Sequence, residues 1–569
     1  MSVFDRDEAR FSLAVREMTD RGDWTVPTNF GELRFHKPIG VYWLALVAQR
    51  LVGRNELALR LPSALCATLT ALLTVFLGKR LFGERVGWRA GWILATALVF
   101  VAEARTFTAD AMLLLGTTAS FAAWAMLRER APRPTAWRLV FWLGIAWGAL
   151  AKLVNLAFLP AAGAALASLE GWIDAPTRKR VGWVIALGVL AVAIPHLGSL
   201  GPTATGIAFV VLAANAWHRR TERRAHPSLG ARWGIPLALG IVALWGVPAL
   251  LRTHGQFWTL GVQQELMGQA ARPFEGHVGI PGFYLGSTLL AFLPWSAVVP
   301  LALLGAWRGR GADPRLRFVL AWIGGPWLLL ELFSSKLPHY MLVTFPALAL
   351  CTSLEWERRL AAQAVPSRGW RALEGALFGL PVLGLAALMF VGAARLAPEA
   401  LRAALAATGV LALAVAAWGA RRLALGRYAQ APVGIVAGFA ALYLSFFVLV
   451  LPAVEPLRLA RPLAAAVSRE LRPEERLISF SVTDTSVAYY LPRPVEVYRR
   501  GAALGAALRD DPRGALILVR RGKDADSVRA EAAQAGRHTE AVGSVEGLIL
   551  PRLGPREVEL VRVAPRDGG

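Results

Sequence analysis

The chain has 569 residues, of which 55% are hydrophobic and 18% charged, with a mean hydropathy of +0.46. A soluble enzyme carries about a quarter charged residues, so composition excludes an ordinary soluble protein. The net charge of +23 excludes nothing by its size, but most of the arginines lie in short loops between apolar runs. A nucleic-acid binder would gather them on one soluble face.

Residues 1–56 contain two amphipathic stretches, 7–21 and 38–53, the second with Tyr42 and Trp43. Both suit helices lying in the membrane interface. Apolar runs near the ~20 residues that cross about 30 Å of hydrocarbon follow. They predict fourteen spans: 57–82, 87–105, 111–128, 136–151, 153–171, 180–199, 203–218, 231–251, 281–306, 315–333, 338–355, 372–395, 400–420 and 432–452. The two cysteines, Cys66 and Cys351, fall inside these runs without metal-type spacing. From about residue 461 the chain turns polar, and strand-like Leu477–Val482, Ala515–Val519 and Val558–Val563 alternate with helical stretches. The expected fold is an α-helical polytopic membrane domain over 57–452, with a small α/β soluble domain over 461–569.

Alternate loops differ in charge. One set holds clusters such as Lys79/Arg80/Arg85/Arg89, Arg219/Arg220/Arg223/Arg224 and Arg308/Arg310/Arg315/Arg317. The other holds only Arg105, Lys152, Arg252, Arg272, Lys336, Arg395 and Arg402, a ratio near four to one. The positive-inside rule makes the first set cytoplasmic. Residues 1–56, the loop 252–280 and the tail then lie outside. Nothing before residue 7 would carry the first loop across, so a preceding transmembrane helix and a start upstream of Met1 are expected.

Polar groups at the outer ends of spans are costly near hydrocarbon and generally have a task. They are Asp7, Glu8 and Arg10; His36 and Lys37; Arg105 to Asp110; Lys152; and Lys336, His339 and Tyr340. Lys152 stands between two apolar runs with almost no loop and breaks the charge rule. Mixed carboxylates and cations at one membrane face suit a phosphate-bearing lipid headgroup. Alternatives from other classes are a transporter or flippase for such a lipid, and a sensor with an outer ligand domain. A transporter places its polar groups near the midplane, with internal repeats; here they sit at span ends and no repeat is visible.

Six segments occur in a recognisable order: 4–44, with Asp7-Glu8-Ala9-Arg10 and His36-Lys37-Pro38, then ELALRLPSAL (56–65), RTFTADAML (105–113), ALAKLVNLAFLP (149–160), AFLPWSAVVP (291–300) and SSKLPHYMLVTFPALAL (334–350). In this order the chain resembles the GT-C glycosyltransferases of family 39, in the branch of protein mannosyltransferases and lipid A-modifying aminoarabinose transferases. The resemblance implies an inverting transfer of a sugar from a polyprenyl-phosphate donor to an envelope acceptor (lipid, glycan or protein) at the outer face of the inner membrane. It places Asp7 as the first-loop catalytic acid, with Glu8 beside it and Asp110 in the active cavity. Arg10, Lys37, Lys152, Lys336 and Tyr340 would hold the donor phosphate. His36 stands where the branch more often has Glu, a position that can help hold a metal; with His277 or His339 it offers ligands for zinc or magnesium. Phe11 replaces a frequent Tyr, Lys152-Leu153-Val154-Asn155 replaces a Lys-Gly-Pro, and 180–218 reads as an inserted hairpin. Sugar and acceptor stay open.

Overall fold

Long apolar runs become helices because in hydrocarbon a helix satisfies its own backbone donors and acceptors. The structure, a computed structural model, describes all residues except 1, 5–6, 172–175, 178, 181–182, 185–227, 262–279, 334, 364, 396–397, 550–554 and 566–569. The predicted spans 180–199 and 203–218 lie almost wholly outside the described residues, as does His277. Among the described residues, six helices are long and apolar enough to cross a membrane: Glu56–Phe82, Asp110–Arg128, Ala231–Arg252, Arg368–Arg395, Glu399–Ala424 and Ala431–Leu457.

Other predicted spans take less regular forms. The run 87–105 is two helices, Glu84–Ala95 and Leu98–Glu103, and the run 281–306 breaks between Phe283–Ala291 and Val299–Gly309. The two breaks face each other and satisfy each other's polar groups. Leu98 N donates to Leu293 O at 2.8 Å, and Trp295 Nε1 donates to Thr96 Oγ1 at 2.8 Å. Pro294 forbids a continuous helix there, and the paired breaks keep the freed backbone groups bonded inside the protein. The run 338–355 starts as a 3-10 turn, Pro338–Thr344, before the helix Phe345–Ala361. That turn carries His339 and Tyr340.

Helix packing uses small residues, as expected where lipid is as apolar as the side chains. Asp110–Arg128 and Pro134–Ala151 approach at Gly116, Gly144 and Gly148. A Cβ on Gly116 would lie 2.7 Å from both Gly144 O and Gly148 N. Aromatic residues fill the wider gaps, with Phe121 stacked on Trp322 at 4.3 Å. At the far end of the Phe345–Ala361 helix, buried Arg359 pairs with Glu355 (2.9 Å) and Glu374 (2.8 Å), and Tyr428 donates to Glu374 at 2.6 Å. This network ties two helices to the turn before Ala431–Leu457.

The first loop forms the helices Asp7–Arg21 and Gly40–Val52 with a two-stranded turn between them. Beyond the last span, a five-stranded sheet runs in the order Glu496–Tyr498, Arg476–Phe480, Ala515–Arg520, Pro555–Val563, Thr539–Leu548. The first three are mutually parallel, and Pro555–Val563 is antiparallel to both of its neighbours. Helices cover both faces. Leu463, Val467 and Val487 pack on one, and Leu504, Leu508, Ala525 and Val528 on the other.

Candidate active site

Lys152 ends the Pro134–Ala151 helix in extended conformation, and a new helix starts at Asn155. The break is held by Asn155, whose amide donates to Ile145 O (3.1 Å) while its oxygen accepts from Thr117 Oγ1 (2.7 Å). Gly148 makes room for that amide: a Cβ there would stand 2.3 Å from Asn155 Nδ2. Asp110 opens the neighbouring helix, where its charge favours the N-terminus. The close glycine packing brings the two together, and Lys152 Nζ lies 2.7 Å from Asp110 Oδ1, both side chains largely buried at 14% and 9% exposed. Lys152 Nζ also sits 5.4 Å from the Tyr340 ring centroid.

This pair lines a cavity of about 280 Å³ together with His36, Lys37, Ser335, His339 and Tyr340. The remaining wall is apolar and aromatic, including Trp245, Phe257, Trp258 and Phe333. One cavity thus offers charge at one part and hydrocarbon-like surface at another. Lys37 Nζ donates to His36 O at 3.0 Å, and the His339 ring meets Tyr340 edge-on at 4.9 Å.

Asp7 and Arg10 stand apart from the cavity wall, in the first turn of the Asp7–Arg21 helix. Their charges lie 3.5 Å apart, with Asp7 65% exposed, and both act electrostatically on His36. Glu8 turns the other way. It is 2% exposed and takes Arg60 Nε and Nη2 at 2.8 Å each, Phe107 N at 2.9 Å and Phe4 N at 2.5 Å. It joins the first loop to the Glu56–Phe82 helix and to the loop that leads into Asp110. Lys336 is sealed from solvent, with Glu331 3.7 Å away. Glu331 in turn accepts from Gly282 N, Tyr284 N and Trp327 Nε1.

His36 stacks on Phe35 at 4.6 Å. Burial, with Arg34, Lys37 and Arg10 close by, pushes its pKa down to about 4, so the ring is neutral at neutral pH. Among the described residues no three of His, Cys, Asp or Glu come together as metal ligands. The cations around His36 further disfavour a divalent ion, so the described residues do not fit a metal site.

Sequence reasoning missed Asn155, Glu331, Arg60 and the aromatic wall. Asn155 carried a signal: a polar amide three residues after an isolated lysine inside an apolar run. Glu331 and Arg60 gain their roles only from partners far along the chain.

The family described as dolichyl-phosphate-mannose-protein mannosyltransferase matches residues 36–198, which contain Lys37, Asp110 and Lys152. An undecaprenyl phosphate-alpha-4-amino-4-deoxy-L-arabinose arabinosyl transferase from Aeromonas salmonicida is 29% identical over 68% of this chain and 62% of its own length. The Erwinia tasmaniensis protein of the same name is 28% identical over 61% of this chain and 54% of its own. The chain therefore matches less than two thirds of the length of these relatives. In fold, ArnT from Cupriavidus metallidurans, solved bound to undecaprenyl phosphate, superposes with a TM-score of 0.69 at 18% identity, over 98% of this chain and 94% of that one. Its apo structure gives 0.67. The resemblance to the GT-C glycosyltransferases of the mannosyltransferase and aminoarabinose transferase branch thus holds in the family match, in the curated relatives and in the fold of the whole chain.

Proposed function

We propose that this chain is an inverting glycosyltransferase that moves a sugar from a polyprenyl-phosphate carrier to an acceptor of the cell envelope. The observation that carries this reading is the Lys152–Asp110 pair set into an aromatic-walled cavity with Lys37, His339 and Tyr340. A lipid phosphate needs both parts: apolar wall for its chain and cations for its headgroup. The names of the relatives agree, since those proteins are described as using undecaprenyl or dolichyl phosphate carriers.

In the reaction, an acceptor oxygen attacks the anomeric carbon while the bond to the carrier phosphate breaks. The electron pair leaves with the phosphate, whose growing charge Lys37 and Lys152 stabilise. Tyr340, on the same cavity wall, completes the phosphate-holding set, while Arg10 and Lys336, outside that wall, add positive charge nearby. Asp7 accepts the proton of a hydroxyl acceptor; a phosphate acceptor, already ionised, would need Asp7 only for positioning. Glu8 holds the Asp7 helix in place. The loop charges support fourteen crossings, with the arginine-rich loops in the cytoplasm, so that the first loop, the cavity mouth and the sheet stand on the outer side of the inner membrane.

The test is transfer by the purified full chain in proteoliposomes, with the aminoarabinose carrier lipid as the first donor tried. Asp7→Asn should lower turnover by roughly 10²–10⁴-fold with insertion unchanged, and Lys152→Ala should chiefly impair donor use. Full turnover by Asp7→Asn would remove it from the mechanism. Donor crossing the membrane without any transfer would replace the enzyme by a transporter.

A further inference from the structure

Among the described residues, the sheet collects cations without ion pairs at one edge. Strands Arg476–Phe480, Glu496–Tyr498 and Ala515–Arg520 run parallel, with Phe480 level with Tyr498 on one side and Val519 on the other. Their C-terminal ends therefore share one edge, and the residues that leave them are Arg499 and Arg500, Ser481 to Asp484, and Arg520 to Lys523. Arg499, Arg500, Arg520 and Lys523 are exposed, and no ion pair or side-chain hydrogen bond engages them among the described residues. Elsewhere in the sheet the arginines are matched: Arg476 with Glu496, Arg529 with Glu559, Arg562 with Glu475. The acids near the edge do not cancel the surplus. Asp484 is paired with Arg556 and Glu557 with Arg521, which leaves Asp524 and Glu546 against four cations.

Two further observations give the edge a direction and a crevice. Thr539–Leu548 runs the same way as Ala515–Arg520, since both are antiparallel to Pro555–Val563. Its end, Leu548, accepts from Leu459 N at 3.1 Å and bridges Arg458, directly after the last span, Ala431–Leu457. The strand ends thus face the side from which the chain leaves the membrane. The helices that follow the two central strands pack on opposite faces: Val487 joins the cluster of Leu477 and Leu516, whereas Val528 joins that of Ile478 and Ile517. This makes a topological switch point, where open α/β sheets bind ligands beyond their strand ends.

We propose that this edge is a docking face for the headgroups of anionic phospholipids in the leaflet beside it. The proposal requires only that Ala431–Leu457 crosses the membrane, and it stands independently of sugar transfer. Basic residues near an anionic leaflet gain from its surface potential, and the gain is lost in salt. The cation-poor loops on this side of the bundle make four unmatched charges here the more specific.

Hydrogen–deuterium exchange of the full chain in nanodiscs tests it. Backbone amides of 499–501 and 520–523 should exchange severalfold more slowly in discs containing phosphatidylglycerol than in discs of phosphatidylcholine alone, and high salt should erase the difference. Arg499→Gln/Arg500→Gln should lose the effect at the first segment and Arg520→Gln/Lys523→Gln at the second, with the strand amides of Ala515–Val519 still protected as proof of folding. Equal exchange in both discs would overturn the proposal. So would slowing by inorganic phosphate in phosphatidylcholine discs, which would make the ligand a free anion.

Discussion

Lys152 is a cation in a place where a lone charge is costly, and Asp110 makes it tolerable. Their 2.7 Å contact is largely shielded from water, so removing one partner strands the other. Lys152→Met or Asp110→Leu alone should cost about 3–5 kcal/mol of stability. The double variant should recover part of this, with a coupling of about 0.5–3 kcal/mol. Thermal unfolding of the four proteins in one detergent measures it, and additive losses would show that the contact is not an interaction. His36 gives a second expectation at this scale. Its pKa is about 4 when folded against 6.5 in the free side chain, so below the upper value the unfolded chain binds a proton that the folded chain refuses. Stability from this group is complete above the unfolded value and falls as pH drops through the window between the two. The Tm of wild type should therefore fall more than that of His36→Gln between about pH 7 and about pH 5, and parallel curves would count against a buried neutral ring.

At the scale of elements, the site depends on how closely two helices approach. Gly148 leaves space for the Asn155 amide that holds the helix break, and Gly116 lets the Asp110 helix lie against it. Gly148→Ala would drive a methyl into that amide, at a cost of about 1–3 kcal/mol from overpacking. The break would shift and carry Lys152 away from Asp110. We expect a protein that still inserts but uses its donor poorly, read as a raised KM for the carrier lipid in the transfer assay; an unchanged KM would mean that the break tolerates the shift. The sequence made part of this legible. Lys152 announced itself by breaking the loop-charge rule, and the two first-loop helices followed from their amphipathic period. The same period could not show that 87–105 and 281–306 are broken, because each break is satisfied by the other across the fold. Nor could it separate Glu8 from Asp7. Adjacent acids on one helix look alike until Arg60 and Phe107 N are seen to claim only one of them.

At the scale of the whole molecule, the sheet and the first loop are fastened to each other, although hundreds of residues separate them. Tyr490 OH accepts from Val3 N at 2.8 Å and donates to Glu56 Oε1 at 2.7 Å, while Arg461 reaches the same carboxylate. Arg16, on the Asp7 helix, donates to the carbonyls of Ala488 and Tyr489 at 3.0 and 2.8 Å. The polar tail read from composition is therefore part of the frame around Asp7, a relation that no local pattern could reveal. Tyr490→Phe keeps the ring but leaves Val3 N without its acceptor and Glu56 with one donor fewer, a loss of about 1–3 kcal/mol at the joint. Because the joint precedes Asp7 by only four residues, looseness there should reach the reaction itself. Turnover should fall while the KM for the carrier lipid stays near wild type, since the cavity-lining cations Lys37 and Lys152 lie outside the Asp7 helix. Tyr490→Phe and Arg16→Ala should also both speed protease cleavage of the first loop in folded protein. A variant with faster cleavage and full turnover would show that the sheet supports the fold without setting the geometry of the site.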